Sequence, residues 1–162
     1  MRWIPLGLVP MLGLLGACGY SMRRLTPPGV RTVAVEVIEN PTFRRDIEFQ
    51  LTEDLKNAIL SRTDLLVVDK NRADLLLSGT ILQFREQVLA ENLEDDIVQS
   101  SVIVTVEFVL TDRRTGKERD RDRITDVSEF GVGRNEDLGS ATSEAFSDLA
   151  EKVIYRFLEE PF

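Results

Sequence analysis

Thr32-Val33-Ala34-Val35-Glu36-Val37-Ile38 is followed by Glu39-Asn40-Pro41-Thr42, and the reading of this passage decides the fold. Val33, Val35 and Val37 alternate with smaller or polar residues, which is the period of a strand with one apolar face. Asn40-Pro41 then offers a helix cap with proline in the first turn, although the same dipeptide also marks a plain turn. Beyond it Ile47, Leu51, Leu55 and Ile59 recur every four residues with Ala58 beside them, so the spacing predicts a helix to about Thr63. The β-rich Leu65-Leu66-Val67-Val68 comes next. Strand, helix and strand in this order predict a right-handed crossover between parallel strands.

From Ala73 onward the period changes to two. Leu75 to Ala90 reads as a long strand, with Gly79 inside it as a bulge or a point of close approach. Ser101 to Leu110 reads as another, with Val102, Val104, Val106, Phe108 and Leu110 on one side. Asp112-Arg113-Arg114-Thr115-Gly116-Lys117 is a turn, and Glu118 to Phe130 continues as its hairpin partner. Ala141, Ala145, Leu149, Val153 and Phe157, flanked by Phe146 and Ile154, make a broad-faced amphipathic helix ending before Pro161. The predicted fold class is α+β: a two-layer sandwich in β-α-β-β-β-α order, two helices packed on one face of a four- to five-stranded mixed sheet. The other sheet face then carries Leu75, Leu77, Ile81, Leu89, Ile103 and Val109. That is more apolar surface than a freely solvated face shows, so either a partner or a covering helix or loop is expected there.

Upstream of Cys18 lies one charge, Arg2, then an apolar run from Trp3 to Leu15 interrupted by Pro5, Gly7, Pro10 and Gly13. A bilayer crossing takes about 20 apolar residues, so the run is short for a span and reads as a secretory signal peptide. It ends in Leu15-Gly16-Ala17-Cys18, and Cys18 is the single cysteine of a 162-residue chain that has no histidine. A lone thiol without histidine supports neither a disulfide, nor a zinc site, nor a Cys–His nucleophile. The four residues resemble the bacterial lipobox. The resemblance implies a thioether-linked diacylglycerol and an N-acyl chain on Cys18, together an anchor in the lipid bilayer; two or more chains hold a protein stably where one does so marginally. Gly19 occupies a position where many inner-membrane lipoproteins carry Asp, which by the same resemblance favours the outer membrane. The organisation expected is therefore a signal peptide over 1–17, a lipidated tether over 18–31 containing Pro27-Pro28-Gly29, and a single domain over 32–162.

The chain has 28 acidic and 20 basic residues, a formal net charge of −8 that becomes one unit more negative without Arg2. Such a body is a poor match for nucleic acid. Its densest charged stretch runs from Arg113 to Arg123. If the chain is extended from Glu118, the pleat places Arg119, Arg121 and Arg123 on one face and Glu118, Asp120 and Asp122 on the other. With Arg113, Arg114 and Lys117 at the turn, this row suits bidentate grip on phosphate groups, or simply a charged edge that resists edge-to-edge pairing. Glu91, Glu94, Asp95 and Asp96 match no calcium-loop spacing and read as a solvated acidic loop. Gly131-Val132-Gly133 lacks the strand-to-helix context of a phosphate-cradling loop. With neither histidine nor a Gly-x-Ser-x-Gly elbow in the chain, no catalytic constellation stands out, and no metal or dissociable cofactor is expected.

Taken in order, Cys18-Gly19-Tyr20, Thr32-Val33-Ala34-Val35 with Glu39-Asn40-Pro41-Thr42, the long helix, Ala73-Asp74-Leu75-Leu76-Leu77-Ser78-Gly79-Thr80-Ile81 and the Asp112-Arg113-Arg114-Thr115-Gly116 turn resemble the LptE family of lipopolysaccharide-assembly lipoproteins. The resemblance implies a non-enzymatic outer-membrane lipoprotein at the periplasmic face that plugs the β-barrel translocon LptD, helps it assemble, and contacts lipopolysaccharide. The strand-helix-strand passage also resembles periplasmic modules of penicillin-binding-protein activators and curli-secretion lipoproteins. Those would imply a peptidoglycan-synthase partner or a homo-oligomer instead.

Overall fold

The computed structural model describes residues 29–91, 97–131 and 136–159. The signal segment, Cys18, the tether up to Pro28, the acidic residues Glu94 to Asp96, Val132-Gly133 and Pro161 lie outside them. Strand β1 (Thr32–Val35) leads to helix α1 (Ile47–Arg62), and β2 (Leu66–Val67) follows. A 3₁₀ turn (Lys70–Arg72) then precedes β3 (Leu75–Glu91), β4 (Ile97–Asp112) and β5 (Glu118–Gly131). Helix α2 (Leu138–Val153) closes the domain and continues as a π-helical turn, Ile154–Glu159.

These elements form a five-stranded mixed sheet in the order β2-β1-β3-β4-β5, with both helices on one side. Strand β1 is parallel to both neighbours, while β3, β4 and β5 form an antiparallel meander. The expected β-α-β crossover and the expected element order are therefore present.

Helix α1 begins later than a cap at Asn40 would place it. Asn40 instead organises a turn: its amide oxygen accepts from the Thr42 N–H at 3.1 Å, and its amide nitrogen donates to Glu48 at 2.7 Å. The helix starts after Asp46, whose φ of 70° lies in the left-handed region. Helix α2 is capped by a reciprocal pair: the Asp137 carboxylate accepts from the Ser140 N–H at 2.7 Å and the Ser140 hydroxyl accepts from the Asp137 N–H at 3.0 Å.

The core lies between the helices and one face of the sheet. Ile47, Leu51, Leu55 and Ile59 of α1 and Ala145, Phe146, Leu149 and Val153 of α2 meet Val33, Val104, Val106, Phe108 and Leu110 of the sheet. Leu75, Leu77 and Ile81 belong to the same cluster and are fully buried, which corrects their expected place on the outer face. Directly opposed antiparallel residues share a face. The register Leu77↔Leu110 and Ile81↔Val106 therefore puts them with the core. Gly79 is a close approach: its Cα lies beneath Phe108 and Ile38, and an added Cβ would sit 2.9 Å from Phe108 Cδ1. The register shifts of β3 lie further on, between Ile81 and Gln83 and again between Val88 and Glu91.

Candidate binding surface

Two regions of the sheet hold the charged residues singled out in the sequence. The first is the turn between β4 and β5, at the end of the domain where residue 29 enters. Asp112 closes this turn. Its carboxylate accepts from the Thr115 N–H at 3.0 Å and from Arg119 Nη2 at 2.7 Å, and Gly116 supplies the positive φ of 67° that the chain reversal requires. These donors, Arg119 foremost, hold the Asp112 carboxyl down at about 2. Next to it the Asp74 carboxylate accepts from the backbone N–H groups of Arg31 and Thr32, both at 3.0 Å, and from the Thr32 hydroxyl at 2.9 Å. Those contacts, led by the Arg31 N–H, keep its pKa below the ordinary value.

Arg113 donates through Nε to the Ala73 carbonyl at 2.9 Å. Arg113, Arg114 and Arg119, together with Gly29, Asp74 and Asp112, line a cleft of about 400 Å³. Within the described residues the side chains of Arg114 and Lys117 have no ion-pair partner, and both residues are exposed.

The second region is the sheet face opposite the helices. Arg121 and Arg123 do project there, as the pleat predicts, opposite Val109 and Glu107. They are not free cations. Arg121 bonds Glu107 at 2.8 Å and Glu118 at 2.7 Å, and Arg123 reaches Glu107 at 3.4 Å. The expected placement of Glu118 on the far side is corrected here: between Leu110 and Thr111 the register slips so that Thr111 faces Glu118 while Leu110 faces Asp120. The irregularity turns Glu118 to the arginine side, where Arg121 lowers its pKa. Asp120 and Asp122 do lie on the helix side. Arg156 of the terminal π-helical turn takes both, at 2.5 Å and 2.9 Å, and these contacts, Asp120 foremost, raise its own pKa.

The six cations therefore separate into two groups: Arg113, Arg114, Arg119 and Lys117 at the turn, and Arg121 and Arg123 on the open face in carboxylate pairs. The middle of that face is polar, with Glu36, Ser78, Thr80, Glu107 and Arg121 among the residues lining a cleft of about 350 Å³. Its apolar residues include Val37, which lines that cleft, the partly exposed Leu76, Ile103 and Val109, and Val127, while the far end of the hairpin exposes Val88, Leu89, Ile97 and Val98.

The described residues contain no group of three or more His, Cys, Asp or Glu side chains placed to hold a metal ion, and no helix among them is long and apolar enough to cross a membrane. Arg156, which fastens α2 to β5, was not singled out in the sequence. Its signal would have been a basic residue one turn beyond the end of an amphipathic helix, opposite a strand whose helix-side positions are aspartates.

The geometry defines a two-layer α+β domain offering charged surfaces on a sheet. The same fold is found in the uncharacterized lipoprotein B from Nitrosomonas europaea, which is 14% identical over 84% of this chain and 88% of that one, with a TM-score of 0.53. A protein from Xanthomonas campestris shares it with 12% identity, 81% and 88% coverage and a TM-score of 0.55. So does the PelC dodecamer from Paraburkholderia phytofirmans, with 16% identity, 76% and 87% coverage and a TM-score of 0.51. No curated protein matches the chain. The chain belongs to the LptE family, described as lipopolysaccharide-assembly, whose family model matches residues 30–157.

Proposed function

We propose that this chain is a non-catalytic, lipid-anchored component of lipopolysaccharide assembly at the periplasmic face of the outer membrane. Acylated at Cys18, it would seat its folded domain within the LptD β-barrel, assist that barrel's assembly and contact lipopolysaccharide in transit. The observation that carries this reading is the family match, which runs through every element from β1 to α2. The sheet supports it by leaving one face without helices, where a barrel wall has room to pack, and by presenting arginines suited to phosphate oxygens. Arg121 and Arg123 are held by Glu107 and Glu118, so a phosphate there competes with carboxylates. Arg114 and Lys117 have no ion-pair partner among the described residues, and Arg113 has only the attraction of Asp74.

Site-specific photo-crosslinking from Val109 on the open face, in cells producing the full chain, tests the reading. A crosslink to a large outer-membrane barrel is expected. A peptidoglycan synthase, or a second copy of this chain as the sole adduct, would refute it. Charge reversal at Arg119, Arg121 and Arg123 is expected to weaken lipopolysaccharide binding in a salt-dependent way. Unchanged binding would remove that row from the contact.

A further inference from the structure

The chain is strongly acidic overall, with a net charge of −8, yet its sign reverses at the end of the domain where residue 29 enters. Arg31, Arg113, Arg114, Lys117 and Arg119 gather there against Asp74, Asp112 and Glu118, the last of which is paired with Arg121. Both aspartates are engaged in hydrogen bonds of their own, although Asp74 is exposed. Asp74 is spent on the N–H groups of Arg31 and Thr32, and Asp112 on Thr115 and Arg119. Arg113 donates through Nε to the Ala73 carbonyl and attracts the Asp74 carboxylate. With the exposed Arg114 and Lys117 it makes a compact set of cations at this tip. The tip itself, Arg113-Arg114-Thr115-Gly116-Lys117, contains no apolar side chain, so it is built to lie against a charged surface and not to insert into hydrocarbon.

We propose that this basic pole docks on the anionic glycerophospholipid headgroups of the leaflet that holds the anchor; the proposal rests on the reading of Cys18 as acylated. The occupant follows from where the chain outside the described residues leads. Cys18 precedes Gly29 by eleven positions, a length that spans at most about 40 Å even when fully extended. The cleft that Gly29 lines is the one formed by Arg113, Arg114 and Arg119, so the membrane is held on the side of these cations. The opposite end of the β3–β4 hairpin lies roughly 50 Å further along the strands. A negatively charged surface attracts each nearby Lys or Arg by about a fivefold gain in binding, an effect that fades within roughly 10 Å. The pole sits within that range only when the domain stands on it. The anchor thus fixes distance, and the turn fixes orientation.

The test uses the full acylated chain. Because its only cysteine is consumed by the anchor, Thr115→Cys or Gln87→Cys each provides a single thiol for a fluorescent label. Gln87 sits far along β3, opposite Ser101 of β4. Each protein is reconstituted in vesicles of phosphatidylcholine alone or mixed with phosphatidylglycerol, both doped with a headgroup-linked quencher. Quenching of the Thr115 label in phosphatidylglycerol vesicles, lost in high salt and absent from the Gln87 label, is expected. Adding Arg113→Glu, Arg114→Glu and Lys117→Glu should weaken it by roughly fivefold or more per residue. The salt titration needs no variant and so stands if the triple substitution perturbs folding. Equal quenching in phosphatidylcholine alone, or none in phosphatidylglycerol, overturns the proposal while leaving the anchor intact. A chain that fails to float with vesicles refutes the acylated anchor, and the proposal falls with it.

Discussion

Replacing Gly79 with alanine puts a methyl group where the sheet has left none. The new Cβ would lie 2.9 Å from Phe108 Cδ1, 3.0 Å from Ile38 Cδ1 and 3.1 Å from Phe108 Cε1, all closer than carbon atoms pack. Neither neighbour can step aside cheaply. Phe108 is fully buried and its ring meets Phe157 edge-on at 6.4 Å, and Ile38 is 1% exposed. Overpacking of this kind costs about 1–3 kcal/mol. Alanine recovers about 0.4–1 kcal/mol by restricting the unfolded chain, since Gly79 holds no positive φ. The net expectation is a loss of about 1–2 kcal/mol. In urea unfolding this lowers the midpoint by roughly 0.5–1 M with an unchanged slope. Ile38→Val removes one of the clashing methyls, so Gly79→Ala with Ile38→Val should lose less than the two single changes added together. A Gly79→Ala protein with a midpoint at or above that of the parent would refute the close-approach argument.

Three further outcomes follow from contacts already described. The Asp112 carboxyl, held at about 2 against an ordinary 3.8, contributes stability that is complete above about pH 4 and is lost as the pH falls toward 2; Arg119→Gln should move its titration upward, as followed by carboxyl NMR. Lys152→Ala removes the ammonium paired with the buried Asp126, leaving that carboxylate with the Ser128 hydroxyl; because Lys152 itself is half exposed, a loss of about 1–3 kcal/mol in urea unfolding is expected, reduced when Asp126→Asn accompanies it. On the proposed acylation, Cys18→Ser should shift the protein from the membrane pellet to the soluble fraction after cell fractionation while its urea midpoint stays unchanged, because acyl chains would contribute location and not core packing.

Much of the architecture was legible because periodicity reports burial directly. The alternation at Val33-Ala34-Val35 and the fourfold spacing of Ile47, Leu51, Leu55 and Ile59 each marked an element that the structure contains. What periodicity could not report was which strand faces belong together. Leu75, Leu77 and Ile81 keep perfect alternation, yet their face depends on pairing with Leu110 and Val106, a relation between segments some thirty residues apart. The charged row shows the same divide. Alternation correctly separated Arg121 and Arg123 from Asp120 and Asp122, but one slipped residue near Arg119 carried Glu118 across. The carboxylate partners of the row, Glu107 among them, come from another strand and leave no mark in the local sequence.

The latch between Asp74 and the start of β1 bears on how the molecule carries load. Strand β1 lies between β2 and β3 and is parallel to both, and the chain leaves it toward residue 29 through the two backbone groups that Asp74 grips. Tension applied at that terminus therefore runs along the strand axis and strains ladders on both flanks at once, together with the carboxylate clamp. Bonds loaded in parallel share the force, whereas those of a peeled edge strand would break one after another. The exit point is thus the mechanically firm corner of the fold.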